Sequence, residues 1–463
     1  MMHSLVVQAP IPWPHPLAMH PSPASAHHPG PAEAAAGRTR QAARGSSPFS
    51  RFRGWAVVAG AFTVQAICFA AIYSIPAFAE PLRVSFGASD ASDALIYTVS
   101  GAMTFGVGAV SGPLADRFGT RLPVTLGMAI VAVGFLLATR AQSFVEVQLC
   151  YGLLVGLGAG LAYVPALAVV PRWFESRRGL ASGIATAGVG FGTMMVPALD
   201  GLLRTTGGWQ AAFLVVAAGT AVLGIGAAQL LGGSPAGRDL PRHEMAGCGL
   251  TTTGRRDPGG LAAALRDRRF PCLLGGCVLL SGPVGLPFVD LAVTARDKGL
   301  DPGDAIWLIS LVGAGSMFGR LALGPLADRL GRSPVLLACC AGVAGAMAFW
   351  ATATNPLDFA GFALGFGIVQ GGFAALLPSA AVDLYGPRCA GGVLGILFAG
   401  RALAVLLTPP CVAALSPGMG HAAMLWTMGG MALLGTALIA RALLAQPSER
   451  KQPLALPPPR SLR

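Results

Sequence analysis

The sequence predicts an all-α integral membrane protein in which twelve transmembrane helices form two pseudo-symmetric bundles of six. Three features favour this fold class: an apolar composition, a regular series of long apolar segments, and an internal repeat. Hydrophobic residues make up 54% of the 463 residues and charged residues 11%, whereas soluble domains carry about 25% charged residues. Because a backbone in lipid must satisfy its own hydrogen bonds, segments that cross the hydrocarbon core are expected to be helices.

Twelve apolar segments are long enough to span a membrane. A polar stretch rich in Gly and Arg, residues 233–270, separates the sixth segment from the seventh and divides the chain into two sets of six. The segments lie near residues 54–79, 93–115, 122–140, 144–170, 179–202, 208–231, 271–295, 303–326, 334–354, 357–382, 390–414 and 420–444.

This pattern divides the chain into five regions. An N-terminal bundle is expected over residues 54–232 and a C-terminal bundle over residues 271–445, joined by a cytoplasmic linker over residues 233–270. The tails, residues 1–53 and 446–463, contain no uninterrupted apolar core and are expected to be disordered. The five histidines of the N-terminal tail could form a metal-binding tract, but a disordered tail or an over-called start codon is the simpler interpretation.

The placement of the cations accounts for the net charge of +12. With the N-terminus in the cytoplasm, the cytoplasmic tails and loops contain 25 of the 32 Lys and Arg residues, and the outer loops contain five. This asymmetry follows the positive-inside rule and predicts that both termini are cytoplasmic. The positive-inside rule therefore explains the net positive charge, and no nucleic acid is expected as a partner. Arg outnumbers Lys 30 to two, a bias typical of GC-rich bacterial genomes, which favours a bacterial inner membrane.

No motif for catalysis or for metal binding occurs in the sequence. The nine cysteines show neither metal-ligand nor CxxC spacing and fall mostly within apolar segments, where a free Cys packs as a small apolar residue. There is no Walker loop, nucleophile elbow or helical HExxH motif. The sequence therefore predicts neither an enzyme nor a protein with a metal or cofactor.

One octapeptide occurs twice and defines the internal repeat. Residues 112–119 read GPLADRFG and residues 324–331 read GPLADRLG, at an offset of 212. The same offset matches Gly183 with Gly395. A single register that covers the loop after the second segment and the helix of the fifth indicates that the two halves are repeats.

The doubled loop resembles the signature of the major facilitator superfamily, and the resemblance covers the chain from about residue 54 to residue 444. The stretches WFESRRGLASGIATAGVGFG (173–192) and RGWAVVAGAF (53–62) resemble the branch of monocarboxylate transporters and oxalate–formate exchangers. The stretch ARDKGLDPGDAIWLISLVGAGSMFGRLALGPLADRLG (295–331) resembles the same branch. The resemblance implies a substrate site between the two bundles near the membrane midplane, reached by alternating access.

The resemblance also implies a gating role for the two GPLADR loops, which would latch and release the two bundles, and it marks a further motif in the loop before segment five. A charged turn that anchors a helix end would explain the same residues. The loops after segments two and eight contribute Gly112, Asp116, Arg117, Gly119, Arg121, Gly324, Asp328, Arg329 and Gly331. The motif at the loop before segment five contributes Arg177, Arg178 and Gly183.

Two arginines lie within the predicted spans. Arg320 is roughly 12 Å from the GPLADRLG loop, and Arg401 is roughly 15 Å from the loop before segment eleven. Half of the hydrocarbon core is about 15 Å, so both residues lie near the midplane, where an arginine costs at least about 2.5 kcal/mol and must face protein or water. Subtracting 212 from these positions gives Gly108 and Val189. The cations occur in one half only, which favours substrate recognition over a scaffold role.

Two cations without an acid between them attract an anion, and Arg binds a carboxylate through two parallel hydrogen bonds. By resemblance, Arg320 occupies the position of the branch's substrate arginine in span eight. Arg401 occupies the position where the exchangers carry a lysine in span eleven. A small organic carboxylate is therefore the predicted substrate, and a structural ion pair with Asp290 is the alternative.

The sequence departs from the proton-coupled monocarboxylate transporters at two points. Ser316 stands where these transporters carry an acid, four residues before the arginine, and the first segment has no lysine. These departures argue against proton coupling through that pair and favour an exchanger or a uniporter. A coupled proton or an exchanged anion would be the second partner of the substrate.

Other polar residues are weaker candidates, because helix packing explains each of them equally well. They are Tyr73, Tyr163, Gln370, Gln65 and Trp307. The same fold would also suit a proton-coupled exporter of a drug, a sugar or an amphiphilic cation, although two central cations disfavour a cationic ligand. A non-transporting membrane sensor would use the linker or the tails, which contain no recognisable module.

Overall fold

The computed structural model describes residues 48–87, 90–174, 178–232, 261–385 and 390–445, and every regular element within these ranges is a helix. Residues Ser50–Arg463 form one compact unit. Of the preceding unit, Met1–Phe49, only the first turn of the first helix is described. The histidines of the N-terminal tail and the C-terminal tail lie outside the described residues.

Six membrane helices form the N-terminal half, and four of them consist of two parts, labelled a and b. Their bounds are α1a Pro48–Tyr73, α1b Ile75–Phe86, α2 Asp90–Phe118, α3 Arg121–Ala138, α4a Phe144–Val147, α4b Gly156–Val169, α5a Arg178–Met194, α5b Val196–Thr206, α6a Trp209–Gly219 and α6b Ile225–Leu230. Two π-helical segments, Gln148–Val155 and Thr220–Gly224, join the parts of α4 and α6. A 3₁₀ turn, Val170–Arg172, follows α4b.

Six further membrane helices form the C-terminal half. A short helix, Leu261–Arg266, precedes them in the region predicted as a polar linker. The bounds are α7a Arg269–Gly285, α7b Pro287–Asp297, α8 Pro302–Leu330, α9 Arg332–Thr352, α10 Pro356–Tyr385, α11 Ala390–Met419 and α12 His421–Leu444.

Within the described residues, eleven of these helices are long and apolar enough to cross a membrane. The remaining one is α11, whose described apolar stretch, Gly392–Thr408, is shorter. The whole of α11 has 30 residues and is about 45 Å long, so it completes a set of twelve.

An even number of spans separates the two GPLADR loops, which therefore lie at the same end of the bundle. We call this the motif end and the opposite one the distal end.

The helices repeat in the register predicted from the octapeptide. The bounds of α2 and α8 differ by 212 at both ends, and the starts of α1b and α7b, of α5a and α11, and of α6a and α12 differ by the same number. Gly119 and Gly331 follow α2 and α8 with φ angles of 83° and 95°, which would strain a residue with a side chain. The repeated glycines are thus explained by the turn that ends each helix.

The first helix of each half is interrupted at the same place. α1a ends before Ser74 and α7a ends before Leu286, and a proline follows in the first turn of α1b and of α7b. Proline lacks an N–H group and cannot continue the hydrogen-bond pattern of a preceding helix. The distal parts of α1 and α7 are therefore separate short helices.

The most extensive contacts between the two halves are made by two pairs of helices, α5 with α8 and α2 with α11. In the first pair, a Cβ atom placed on Gly190 would lie 2.6 Å from the carbonyl oxygen of Gly313. In the second pair, a Cβ atom on Gly101 would lie 2.9 Å from a methyl group of Val405. Small residues let helices approach closely in a membrane. This packing fixes α8 and α11, the helices that carry Arg320 and Arg401, against the opposite half.

Candidate functional site

Arg320 is buried in the middle of α8, where it is 3% exposed. Its Nε donates to the hydroxyl of Ser316, one turn earlier, at 3.4 Å. The titratable groups near enough to act on its charge are Tyr73, Tyr163 and Arg401. The structure therefore brings five of the predicted substrate residues into one cluster, which we call the arginine cluster.

Arg401 reaches the cluster from α11. Its guanidinium carbon lies 4.4 Å from the ring centroid of Phe105 on α2, within the range of a cation–π interaction. Its Nε is buried and has no hydrogen-bond partner in the described part of the chain. The N-terminal half thus holds this side chain by an aromatic face and leaves a hydrogen-bond donor available.

Tyr163 on α4b is enclosed by aromatic rings near both arginines. Its ring centroid lies 5.1 Å from that of Phe69, 6.5 Å from that of Phe105 and 6.2 Å from that of Phe398. The residue is 7% exposed. Its ring packs as an ordinary core aromatic, while its hydroxyl lies in the electrostatic field of Arg320.

A further group of aromatic contacts between the two halves lies on the distal side of Arg320 and Arg401. The rings of Tyr73 on α1a and Phe288 on α7b are stacked, with centroids 3.9 Å apart and planes 6° from parallel. Tyr97 on α2 lies 6.1 Å from Tyr73, and its hydroxyl donates to the carbonyl of Gly285 at 3.4 Å. Such aromatic pairs contribute about 0.5–1.5 kcal/mol beyond the burial of their area. They join the distal end of α1a and α2 to α7.

Neither Arg320 nor Arg401 forms an ion pair with a carboxylate among the described residues. The carboxylate of Asp290 lies instead 3.6 Å from the imidazole of His421 on α12 and accepts a hydrogen bond from Thr294. The alternative of an ion pair between Asp290 and a buried arginine is therefore wrong. Two cations without a carboxylate partner in the described part of the chain favour an anionic ligand.

Two buried glutamines lie outside this cluster of contacts. Gln370 on α10 is 3% exposed and its Oε1 has no hydrogen-bond partner within the described ranges. Gln65 on α1a is 0% exposed, and both of its amide atoms lack a partner there. The unpaired atoms therefore reach neither guanidinium. Trp307, in contrast, is 61% exposed.

At the motif end, the second GPLADR loop links the two halves. A Cβ atom on Gly179, in the first turn of α5a, would lie 3.3 Å from a carboxylate oxygen of Asp328, and an acidic side chain is stabilised at a helix N-terminus. Arg332 lies 3.6 Å from Asp328 and 3.0 Å from Asp383 at the end of α10. One carboxylate thus faces α5 of the N-terminal half and a cation of its own half.

Further along α5a, a Cβ atom on Gly183 would lie 3.4 Å from the backbone carbonyl of Arg320.

The first GPLADR loop is described less fully. Arg121 packs its guanidinium against the backbone of Gly232, just after α6b. Arg117 and Arg329 are exposed at the ends of α2 and α8. The side chains of Asp116 and Arg178 and the whole of Arg177 lie outside the described residues. The gating role of these loops remains a prediction.

Sequence reasoning did not find three aromatic residues of the site, Phe105, Phe288 and Tyr97. An aromatic residue in an apolar span is ordinarily explained by packing, so nothing local distinguishes these three. The internal repeat does distinguish them, because none of the three aromatic residues has an aromatic counterpart at the repeat offset in the other half of this chain. The positions that correspond at an offset of 212 are Met317, Pro76 and Ile309.

Two repeated sets of six membrane helices carry two arginines that have no carboxylate partner among the described residues, an arrangement that suits a solute transporter. The family model of the Major Facilitator Superfamily matches residues 60–289 and 272–462. The chain therefore belongs to the major facilitator superfamily. It is a multi-pass membrane transporter for a small molecule and not an enzyme.

Three relatives illustrate its place in the family. Monocarboxylate transporter 11 of Homo sapiens is 29% identical over 406 residues, which cover 83% of this chain and 82% of the relative. Monocarboxylate transporter 3 of Rattus norvegicus is 28% identical over 399 residues, covering 84% and 79%. The Fujikurins efflux protein of Gibberella fujikuroi is 28% identical over 344 residues, covering 72% and 70%. The predicted resemblance to the monocarboxylate transporter branch is confirmed.

Proposed function

We propose that this chain moves a small organic anion, a mono- or dicarboxylate, across the membrane by alternating access. The observation that carries this proposal is the pair of guanidinium groups of Arg320 and Arg401, which are confined to one half and have no carboxylate partner among the described residues. At an effective dielectric constant of 20, a carboxylate about 4 Å from each group gains about 4 kcal/mol per contact before desolvation. The names of two relatives, monocarboxylate transporters 11 and 3, support an anionic substrate.

Each member of the arginine cluster has a distinct role in this proposal. Arg320, oriented by Ser316, and Arg401, oriented by Phe105, provide the counter-charges. The hydroxyls of Tyr73 and Tyr163 complete the polar surface around the anion. Gln370 on α10, whose Oε1 is unpaired in the described structure, would donate to the anion through its Nε2.

The orientation and the location of the chain belong to the same proposal. The excess of cations at the motif end favours a cytoplasmic position for that end and for both termini. The Arg-rich composition favours the inner membrane of a bacterium, and the GPLADR loops with the loop before α5 would form the cytoplasmic gate. An exchanged anion or a coupled proton completes the transport cycle.

The test is uptake of radiolabelled lactate, oxalate and succinate by proteoliposomes that contain purified protein. Arg320→Ala and Arg401→Ala should each lower uptake by about 10- to 100-fold, because a hydrogen bond to a charged group contributes about 1.5–3 kcal/mol. Arg441→Ala, which removes a cation from the last turn of α12, is the matched control and should transport normally. Normal uptake by both cluster variants would rule out the proposed site.

Export of a larger product is the second candidate function, because one relative is named an efflux protein. The two functions differ in the ligand that stabilises the folded protein. A ligand present at 100 times its Kd stabilises the folded state by about 2.7 kcal/mol. The melting temperature of the purified protein, measured with each of the three carboxylates and with a lipophilic cation such as tetraphenylphosphonium, therefore distinguishes the two functions. Stabilisation by the cation alone would favour efflux.

A further inference from the structure

Gln65 on α1a carries a buried amide whose two polar atoms are both unpaired. Its side chain is 0% exposed, and neither Nε2 nor Oε1 has a hydrogen-bond partner within the described ranges. Buried side-chain amides are nearly always hydrogen-bonded, because an unmade bond leaves the cost of desolvation uncompensated. Polar residues within membrane spans are also rare unless they serve a function. The amide therefore has the properties of a group that binds a ligand.

The amide is turned away from the lipid. Between residues 56 and 70 of α1a, the positions that are exposed or half-buried share one side of the helix, about 140° wide. They are Ala56, Ala59, Phe62, Thr63, Ile67 and Ala70. Gln65 lies about 130° from the middle of that side. Its side chain therefore points into the protein.

Gln65 shares a face of α1a with two aromatic residues near the arginines. Residues four apart lie on the same face of a helix, about 6 Å apart along its axis, so Gln65, Phe69 and Tyr73 follow one another. The ring centroid of Phe69 lies 5.5 Å from that of Tyr73 and 5.1 Å from that of Tyr163. Both tyrosines are near enough to Arg320 to act on its charge. Because α1a runs from the motif end toward the distal end, the amide lies on the motif side of the arginine cluster.

The internal repeat places the corresponding side chain of the other half near Arg401. Adding 212 to position 65 gives Cys277 on α7a. This cysteine is 2% exposed and lies near enough to Arg401 for the charge to act on its thiol. A buried thiol packs as a small apolar residue, so packing at this position does not require an amide. Gln65 departs from the repeat as the two arginines do.

The chemistry of the amide selects a ligand group that can donate a hydrogen bond. Nε2 donates and Oε1 accepts, whereas an ionised carboxylate only accepts. Oxalate and succinate would therefore leave Oε1 unpaired. A hydroxyl group supplies the donor that Oε1 lacks, and its oxygen or a carboxylate oxygen accepts from Nε2. A carboxylate that also carries a hydroxyl group satisfies both atoms.

We propose that Gln65 is a substrate-binding residue that recognises a hydroxyl group, and that the transported anion is a hydroxycarboxylate. The inference rests on the proposed function and names its substrate class. Arg320 and Arg401 bind the carboxylate, and the hydroxyl group lies on the motif side, toward α1a. Gln65 thereby discriminates between carboxylates that the arginines alone would bind equally well.

The test compares butyrate with 2-, 3- and 4-hydroxybutyrate as inhibitors of radiolabelled lactate uptake by proteoliposomes. The four acids share one carbon chain, and the three isomers place the hydroxyl group at increasing distances from the carboxylate. At least one isomer should have an inhibition constant about fivefold lower than that of butyrate, or lower still, because a site built to bind a hydroxyl group rejects an analogue without it. Gln65→Leu should reduce this ratio to within about twofold and should leave the inhibition constant of butyrate unchanged within about twofold.

Gln229→Leu is the matched control. It makes the same substitution on α6b, where the amide donates to the hydroxyl of Thr125 at 3.0 Å, and it should keep the preference for the hydroxy acid. Equal inhibition by all four acids, or an unchanged preference in Gln65→Leu, would overturn the inference and leave the carboxylate function standing. Failure of the proposed function has a different signature, because Arg320→Ala and Arg401→Ala would then transport normally, and that result would overturn both.

Melting temperatures of the purified protein judge the site without any transport. Leucine replaces two polar atoms that are unpaired in the described structure, so Gln65→Leu should melt at the same temperature as the unaltered protein or higher. A lower melting temperature would show that the amide stabilises the fold and would contradict the proposal. The most effective hydroxybutyrate should raise the melting temperature of the unaltered protein more than butyrate does, and the two acids should act equally on Gln65→Leu. The same shift with both acids in the unaltered protein, or no shift with either, would overturn the proposal.

Discussion

At the scale of single residues, most of the hydrogen-bonding capacity of the Arg320 guanidinium is unused in the described structure. It has five N–H donors, and its one described hydrogen bond goes to Ser316. Lysine would keep the charge but lose the planar fork that binds both oxygens of a carboxylate. The two arginines differ in this respect, because Arg401 occupies a position where the resemblance to oxalate–formate exchangers implies a lysine.

This difference leads to a paired prediction for lysine substitutions. Arg320→Lys should raise the KM for the transported carboxylate by about tenfold or more, since the loss of about 1.4 kcal/mol corresponds to a factor of ten. Arg401→Lys should raise it by less than about threefold. Initial rates of labelled uptake at several substrate concentrations measure both values. Equal tolerance of lysine at the two positions would contradict a bidentate role for Arg320.

Phe105 should be the most sensitive aromatic residue of the site. Its ring lies beneath the guanidinium of Arg401, and a cation–π contact contributes about 0.5–2 kcal/mol. Phe105→Leu should therefore raise the KM by about 2- to 30-fold. Phe135→Leu is the control, because Phe135 is fully buried among the aromatic rings of Tyr151 and Phe213. A control variant with the same rise in KM would show that only packing is affected.

At the scale of helices, the close contact of α5 with α8 sets the position of Arg320. A Cβ atom on Gly313 would lie 2.5 Å from the backbone nitrogen of Met194 and 2.7 Å from the carbonyl oxygen of Gly190. No side chain could move aside, because the opposing atoms belong to the backbone. The helices would have to separate, and Arg320, two turns along α8, would move with its helix.

Gly313→Ala is therefore expected to abolish most transport although it adds a single methyl group. Gly345→Ala on α9 is the matched control, because a Cβ atom there meets no heavy atom within 4 Å, and alanine favours a helix over glycine by about 1 kcal/mol. The control should transport normally and melt at the same temperature or higher. Uptake rates and melting temperatures of the two purified variants check this pair, and normal uptake by Gly313→Ala would disprove the argument.

The sequence predicted the order of the helices and much of their register, because hydropathy and the offset of 212 report on both directly. It did not predict the interruptions before Ile75 and Pro287, since Pro76 and Pro287 lie within apolar runs and hydropathy does not register a missing hydrogen-bond donor. It identified Arg320 and Arg401 as a pair by their depth in the membrane. The partners of charged groups, Phe105 for Arg401 and His421 for Asp290, lie far away in sequence and required the packed structure.

At the scale of the whole molecule, contacts between the halves differ along the membrane normal. Glycine-mediated helix packing joins α5 to α8 and α2 to α11, whereas the end of α1a is joined to α7b by stacked aromatic rings. The two kinds of contact differ in how easily they separate. Backbone packing is rigid, while a stack of two rings contributes about 0.5–1.5 kcal/mol and separates at small cost. In an alternating-access cycle, the stack of Tyr73 on Phe288 is thus the contact expected to break when the distal end opens.

Loss of this stack should shift the protein toward the distal-open conformation. Phe288→Leu removes about 1 kcal/mol of aromatic interaction, which corresponds to an increase of about fivefold in the population of the open state. Hydrogen exchange of α1b and α7b, followed by mass spectrometry in detergent, should be faster in this variant, and Tyr73→Leu should have the same effect.

Because both variants remove one shared contact, the double variant should add little to either. Phe359→Leu, within the fully buried core of the C-terminal half, controls for general destabilisation. Additive effects, or equal acceleration in this control, would show that the stack does not hold the distal end closed.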